Sequence, residues 1–120
     1  MSSSSGNAVD VVRTRIRADL REAMRAKRMD EVAVLRTLIG ALDNAEAITV
    51  APERYTERAF GDPATEVPRK LLSAEDVAAV LDAEQREKLT VAEELERAGR
   101  AADAAKLRDA AAIVSRYLAG

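Results

Sequence analysis

VDVVRTRIRADLREAMRAKRMDEVAVLRTLIGALDNAEAIT, residues 9–49, reads as two helices back to back. Val9, Val12, Ile16, Leu20, Ala23, Met24 and Lys27 recur at steps of three and four. That spacing lays one stripe along a first helix of about twenty residues. Asp30 is placed as the N-cap of a second helix, whose stripe runs through Val34, Leu35, Leu38, Ala41, Leu42 and Ala45. Only Lys27–Asp30 separates the two, and a connection that short holds them antiparallel as an αα-hairpin. Val32 and Ile39 fall off the main stripe. The second helix is therefore expected to meet partners on two sides and to be the most buried.

Further on, Ser73-Ala74-Glu75-Asp76 has the spacing of a capping box, with Asp76 in the place of the usual Glu. It opens the longest helix of the chain. Val77, Leu81, Glu84, Lys88, Val91, Leu95 and Ala98 then follow a heptad-like step up to Gly99, which suits a left-handed cap. A fourth helix repeats the rhythm through Ala104, Leu107, Ala111, Val114 and Leu118, so its seam can lie against that of the third. Glu84 and Lys88 interrupt the third seam one turn apart and read as a pair at its wet edge, with Lys88 snorkelling outward. The expected fold is all-α, with two antiparallel helical hairpins forming a small four-helix domain.

Between the hairpins the periodicity breaks. Pro52, Gly61, Pro63 and Pro68 make residues 49–72 a long connection, within which Glu53–Ala59 has the makings of a short helical turn pinned by Tyr55 and Phe60. Residues 1–8 are polar and Ser-rich and are expected to form a disordered tail. Residues 9–120 then form a single domain.

Composition narrows the chemistry. Cys and His are both absent from the 120 residues, which removes thiol nucleophiles, disulfides, thiolate metal sites and the commonest general base. No metal, cofactor or catalysis by this chain alone is expected. The hydrophobic fraction of 48% rests on Ala, Val and Leu, with only Tyr55, Phe60 and Tyr117 aromatic, which suits close helix packing better than a sheet. No apolar run approaches the roughly eighteen residues of a membrane span, and the N-terminus has no apolar signal core, so a cytoplasmic location is expected.

Overall charge is nearly balanced, with 19 Lys and Arg against 21 Asp and Glu, but its distribution is not. Arg13, Arg17, Arg21 and Arg25 form a row of i, i+4 steps continued by Lys27 and Arg28, and Asp19 and Glu22 are the only acids between residues 13 and 28. The third helix is acidic in turn. A basic helix of this kind is a candidate for sequence-independent phosphate contacts. The alternative is a solvated face, or mutual neutralisation of the two helices across the bundle. No aromatic is interleaved for base stacking.

The run Ala18-Asp19-Leu20-Arg21-Glu22-Ala23-Met24-Arg25-Ala26-Lys27, with Val34-Leu35-Arg36-Thr37-Leu38 and Asn44–Ile48 after it, resembles the opening of the GatB/YqeY-like family. These are small bacterial proteins similar to the tail domain of the B subunit of the glutamine-dependent tRNA amidotransferase. Ser73–Leu81, Glu84–Lys88, Ala98-Gly99-Arg100 and Tyr117-Leu118 are similar to the family's later helices. The resemblance implies an accessory helical module, with the chemistry of the amidotransferase residing elsewhere. The chain departs from the pattern where Ala119-Gly120 follows Tyr117-Leu118 in place of the usual proline, and the family's C-terminal lobe is expected to be missing.

Three functional readings follow. The first is a non-catalytic interaction module that binds a protein partner or self-associates. The second is a tRNA-binding accessory that contacts phosphates through Arg13, Arg17, Arg21, Arg25 and Arg28. The third is a component linked to an amidotransferase, a carbon-nitrogen ligase with glutamine as amido donor.

Overall fold

A computed structural model describes residues 7–48 and 72–118. The tail up to Gly6 and the connection from 49 to 71, including the turn expected at Glu53–Ala59, lie outside the described residues. Among those described there are four helices and no strand: α1 (Ala8–Arg25), α2 (Met29–Ile48), α3 (Ala74–Arg97) and α4 (Ala101–Leu118). The chain is an all-α bundle of two hairpins, as its stripes predict.

Local chemistry sets each boundary. The Asn7 carboxamide oxygen accepts from the Asp10 amide at 2.8 Å and starts α1 one residue earlier than the apolar stripe suggests. At Ser73 both halves of the capping box form: the hydroxyl accepts from the Asp76 amide, and the Asp76 carboxylate accepts from the Ser73 amide, each at 3.0 Å. Asp30 does not cap α2. The Arg28 carbonyl accepts the first helical bond, from the Val32 amide at 3.0 Å, which places Asp30 and Glu31 in the first turn where carboxylates favour the exposed amides.

The two hairpin turns are the same device. In the first, the Lys27 amide bonds the Met24 carbonyl at 3.1 Å and the Arg28 amide bonds the Ala23 carbonyl at 2.9 Å. In the second, Gly99 bonds Glu96 at 3.0 Å and Arg100 bonds Leu95 at 2.8 Å. Both are Schellman closures around a left-handed residue, with φ of 61° at Lys27 and 81° at Gly99. The sequences align as Arg25-Ala26-Lys27-Arg28 and Arg97-Ala98-Gly99-Arg100. In each turn the last arginine pairs with the acid three residues on, Glu31 at 2.8 Å and Asp103 at 2.5 Å. Lys27 is thus a turn residue, although its spacing continues the apolar stripe of the first helix.

Packing within each hairpin dominates, α3 against α4 most extensively and α1 against α2 next. α2 also touches α3 and α4, which makes it the centre of the bundle. Val32, Val34, Leu35, Leu38 and Leu42 are all buried, spread over about half of the circumference at roughly 100° per residue. Val9, Ile16 and Ala23 of α1, Leu72, Val77 and Leu81 at the start of the second hairpin, and Val114 and Tyr117 at its end complete this core. Towards the Gly99 turn, packing changes to small residues, with Ala92, Ala104 and Ala111 the buried positions. The seam of α3 passes through Ala92 and leaves Val91 37% exposed, because a straight helix drifts from a strict heptad. Glu84 and Lys88 flank that seam, 3.5 Å apart and largely covered.

Leu38→Ala is expected to lower the unfolding free energy by about 2–5 kcal/mol, and Leu95→Ala by clearly less, because Leu95 is only half-buried. Lys27→Gly should raise stability by about 0.5–1 kcal/mol and Gly99→Ala should lower it by a similar amount, since only Gly adopts the left-handed cap without strain. Chemical denaturation of the four variants checks all of these. A destabilised Lys27→Gly would mean that the Lys27 side chain, not the turn geometry, matters at that position.

Candidate functional site

Five arginines carry the nucleic-acid reading of the sequence, and the fold separates them. Four residues on an α-helix advance about 40° around the axis, so an i, i+4 row winds away from whatever face it begins on. Arg13 begins at the core. It is 8% exposed, and its guanidinium is held by Asp10 at 3.1 Å, Asp43 at 3.0 Å and the buried Glu46 at 2.8 Å, while its buried Nε has no hydrogen-bond partner. Arg13 ties α1 to the end of α2 and presents nothing to a phosphate, which corrects its place in the row. Arg25, at the other end, pairs with Glu22 at 2.5 Å in solvent.

Arg28 belongs to a second cluster, which clamps the hairpins together. Its Nε donates to Glu31 Oε1 at 2.8 Å, and Arg116 of α4 donates to Glu31 Oε2 at 3.0 Å. Glu31 is therefore gripped on both oxygens, with only 11% of its side chain exposed. The hydrogen bond from Arg28, joined by that from Arg116 and opposed by burial, holds its carboxyl below the usual glutamate range. One residue along, the Tyr117 hydroxyl donates to Asp19 Oδ2 at 2.5 Å, and the Arg15 guanidinium stacks 5.0 Å from the ring centroid while donating to the Arg116 carbonyl at 3.3 Å. Burial and the adjacent Asp19 carboxylate push the phenol pKa well up, so Tyr117 stays a neutral donor.

What remains of the row is Arg17 and Arg21, both exposed and without an ion-pair partner among the described residues. The fold adds a third. Arg36 lies two turns before Asp43 on the same stripe of α2, so it stands on the side of the hairpin where Arg13 meets Asp43, and no acid among the described residues pairs with it either. The sequence contained a signal for this. A three-residue turn fixes the register of α2 on α1, which brings Arg36 back beside the level of Arg21.

Two of the exposed large apolar residues flank the turn at the same end, while Val11, Leu89 and Val91 lie elsewhere. Met24 is 47% and Met29 61% exposed, one on each side of the first turn. Beside them lies an open recess of about 460 Å³ lined by Lys27, Arg28, Met29, Asp30, Glu31 and Ile113. A smaller apolar recess of about 180 Å³ lies between Val12 of α1, Val77 and Leu81 of α3 and Tyr117 of α4. Among the described residues no group of three or more acids is placed to hold a metal ion, and no helix is long and apolar enough to cross a membrane. Comparison with protein-family models, with curated proteins and with solved structures finds no match to this chain.

Arg13→Met is expected to cost about 3 kcal/mol, because it removes the cation from among three carboxylates of which Glu46 is buried. Glu31 gives a pH signature. Its pKa is depressed by folding, so its contribution is complete above the unfolded value of about 4.3 and is lost as pH falls through the folded value. Melting temperatures of wild type and Glu31→Gln should therefore differ at neutral pH and converge in acid. A gap that persists at the lowest pH would show that Glu31 acts by packing alone.

Proposed function

We propose that the chain is a non-catalytic helical interaction module that docks on other macromolecules through surface helices. The observation carrying this reading is the exposure of Met24 and Met29 on the two sides of the first turn, with Met29 lining an open recess rimmed by charge. Methionine is flexible and polarisable and fits irregular apolar surfaces, so two of them exposed together suit a contact that forms and dissolves. The organised polar clusters serve the fold. In the Arg13 and Glu31 sites each guanidinium and carboxylate meets an opposite charge from another helix or turn.

A tRNA-binding accessory is the second reading, and Arg17, Arg21 and Arg36, exposed and without an ion-pair partner among the described residues, favour it. These three replace the five-residue row as its candidate contacts. The resemblance to the GatB/YqeY-like family agrees with both readings, since it implies an appendage to chemistry performed by other chains; an amidotransferase-linked role rests on that resemblance alone.

Capture from a native lysate, with and without nuclease, separates the two. With Met24→Glu and Met29→Glu together, protein capture should fall severalfold while helix content and melting temperature hold, because both side chains are already in solvent. Capture that vanishes with nuclease would favour RNA. In that case Arg17→Gln, Arg21→Gln and Arg36→Gln together should weaken tRNA binding for all sequences alike and flatten its salt dependence by roughly 0.7–0.9 for each phosphate no longer neutralised.

A further inference from the structure

Two faces of this chain combine an exposed apolar residue with charges of one sign, and the signs are opposite. On α1, Met24 lies three residues after Arg21 and seven after Arg17, so the three share a side of the helix, joined there by Arg36 of α2. On α3, Glu87 and Glu94 stand one heptad apart with Val91 between them, four residues after the first and three before the second. Glu87 and Glu94 are exposed and have no ion-pair partner among the described residues, in contrast to Asp82, Glu84, Glu93 and Glu96 on the same helix, each of which is paired. Val91 is 37% exposed, although the neighbouring seam residue Ala92 is fully buried. Each face thus sets an apolar residue beside charges without an ion-pair partner among the described residues, one set cationic and the other anionic.

We propose that the chain self-associates head to tail, the Arg17, Arg21, Arg36 and Met24 face of one copy docking on the Glu87, Val91 and Glu94 ridge of the next. This rests on the reading of the chain as an interaction module and names its partner, a second copy. Neither face can meet itself, because like charges would be opposed across the contact. The contact is therefore heterologous. With one such contact per pair of copies, each copy keeps a free face of either sign and assembly continues beyond a dimer, whereas a two-fold pair that engaged both contacts at once would stop there. A phosphate backbone would satisfy the arginines, but it would leave Met24 facing a polar chain and the glutamate ridge without a role.

Sedimentation of the purified full chain tests this. At an ionic strength of roughly 10 mM, where the Debye length is about 30 Å, the average mass should climb with concentration past that of a dimer, and at about 1 M, where it is about 3 Å, it should return to monomer. Arg17→Glu with Arg21→Glu and Arg36→Glu should weaken association by about tenfold or more, and so should Glu87→Arg with Glu94→Arg. Mixing the two charge-reversed variants should restore it, because each reversed face then meets its complement, and rescue excludes misfolding as the cause of the loss. A wild type that stays monomeric at low salt overturns the proposal, as does a mass that stops at dimer or a mixture that fails to associate. Binding of a tRNA probe through the arginines, with self-association indifferent to Glu87 and Glu94, overturns it in favour of RNA. If the chain is monomeric yet still captures a foreign protein through Met24 and Met29, self-association fails while the module reading survives.

Discussion

A three-residue turn closed by a left-handed residue is the constraint on which this structure depends. It appears at Ala26–Arg28 and again at Ala98–Arg100, with the same two backbone bonds back into the preceding helix. A turn that short leaves the following helix little choice but to run back along the first. The register it sets aligns Arg13 with Asp43 and Glu46 and brings Arg36 alongside Arg21. The polar architecture of the first hairpin therefore follows from the handedness of one residue. That this residue is Lys27 where the second hairpin has Gly99 means that the first turn bears a strain, of order 1 kcal/mol, that the second does not.

Docking the hairpins on each other is a different problem. α2 can bury about half of its circumference, but the facing helices bring charges with them, and a charge taken from water needs a partner that replaces its hydration. Glu31 meets this need with an arginine on each oxygen, one from its own turn and one from α4. Arg116 keeps enough contact with water to limit its desolvation, at 43% side-chain exposure. Tyr117 lies inside the same boundary, with its ring in the core and its hydroxyl on Asp19. An apolar residue at position 117 could fill the core but could not reach that carboxylate. The clamp thus adds a defined orientation to an interface whose apolar part is not directional.

The fold is legible in the sequence because each helix has a recognisable apolar stripe and both hairpin turns are too short for any other connection. The site is not, because a one-dimensional period is not a face. Arg13, Arg17, Arg21 and Arg25 are evenly spaced in sequence, yet a drift of about 40° per step takes them from core to solvent, and among the described residues only the middle two are exposed without an ion-pair partner. The same drift in the opposite sense puts Ala92 on the seam where a strict heptad expects Val91. Arg116 cannot be placed on Glu31, nor Tyr117 on Asp19, from sequence at all, because these meetings depend on how one hairpin rests on the other. The repeat of Arg-Ala-Lys-Arg and Arg-Ala-Gly-Arg is one further signal, and it moves the cap of the second helix from Asp30 back to Arg28, with Met29 as its first residue.

The second hairpin is not uniformly held. Near Val77, Leu81, Val114 and Tyr117 it shares the common core, whereas beyond Gln85 its buried contacts are alanines. Alanine lets two helices approach closely but removes little apolar area from water, so hydrogen bonds and ion pairs matter more there. Gln85 donates to the Ala111 carbonyl at 2.9 Å and to the Ser115 hydroxyl, and Arg108 reaches across to Glu96. These bonds all cross one flank of the seam. On α3, Glu87, Val91 and Glu94 lie on the opposite flank, where no such bond holds them. A helix pair closed by polar contacts on one flank keeps its alanine seam covered and, among the described residues, leaves Glu87, Val91 and Glu94 exposed on the other.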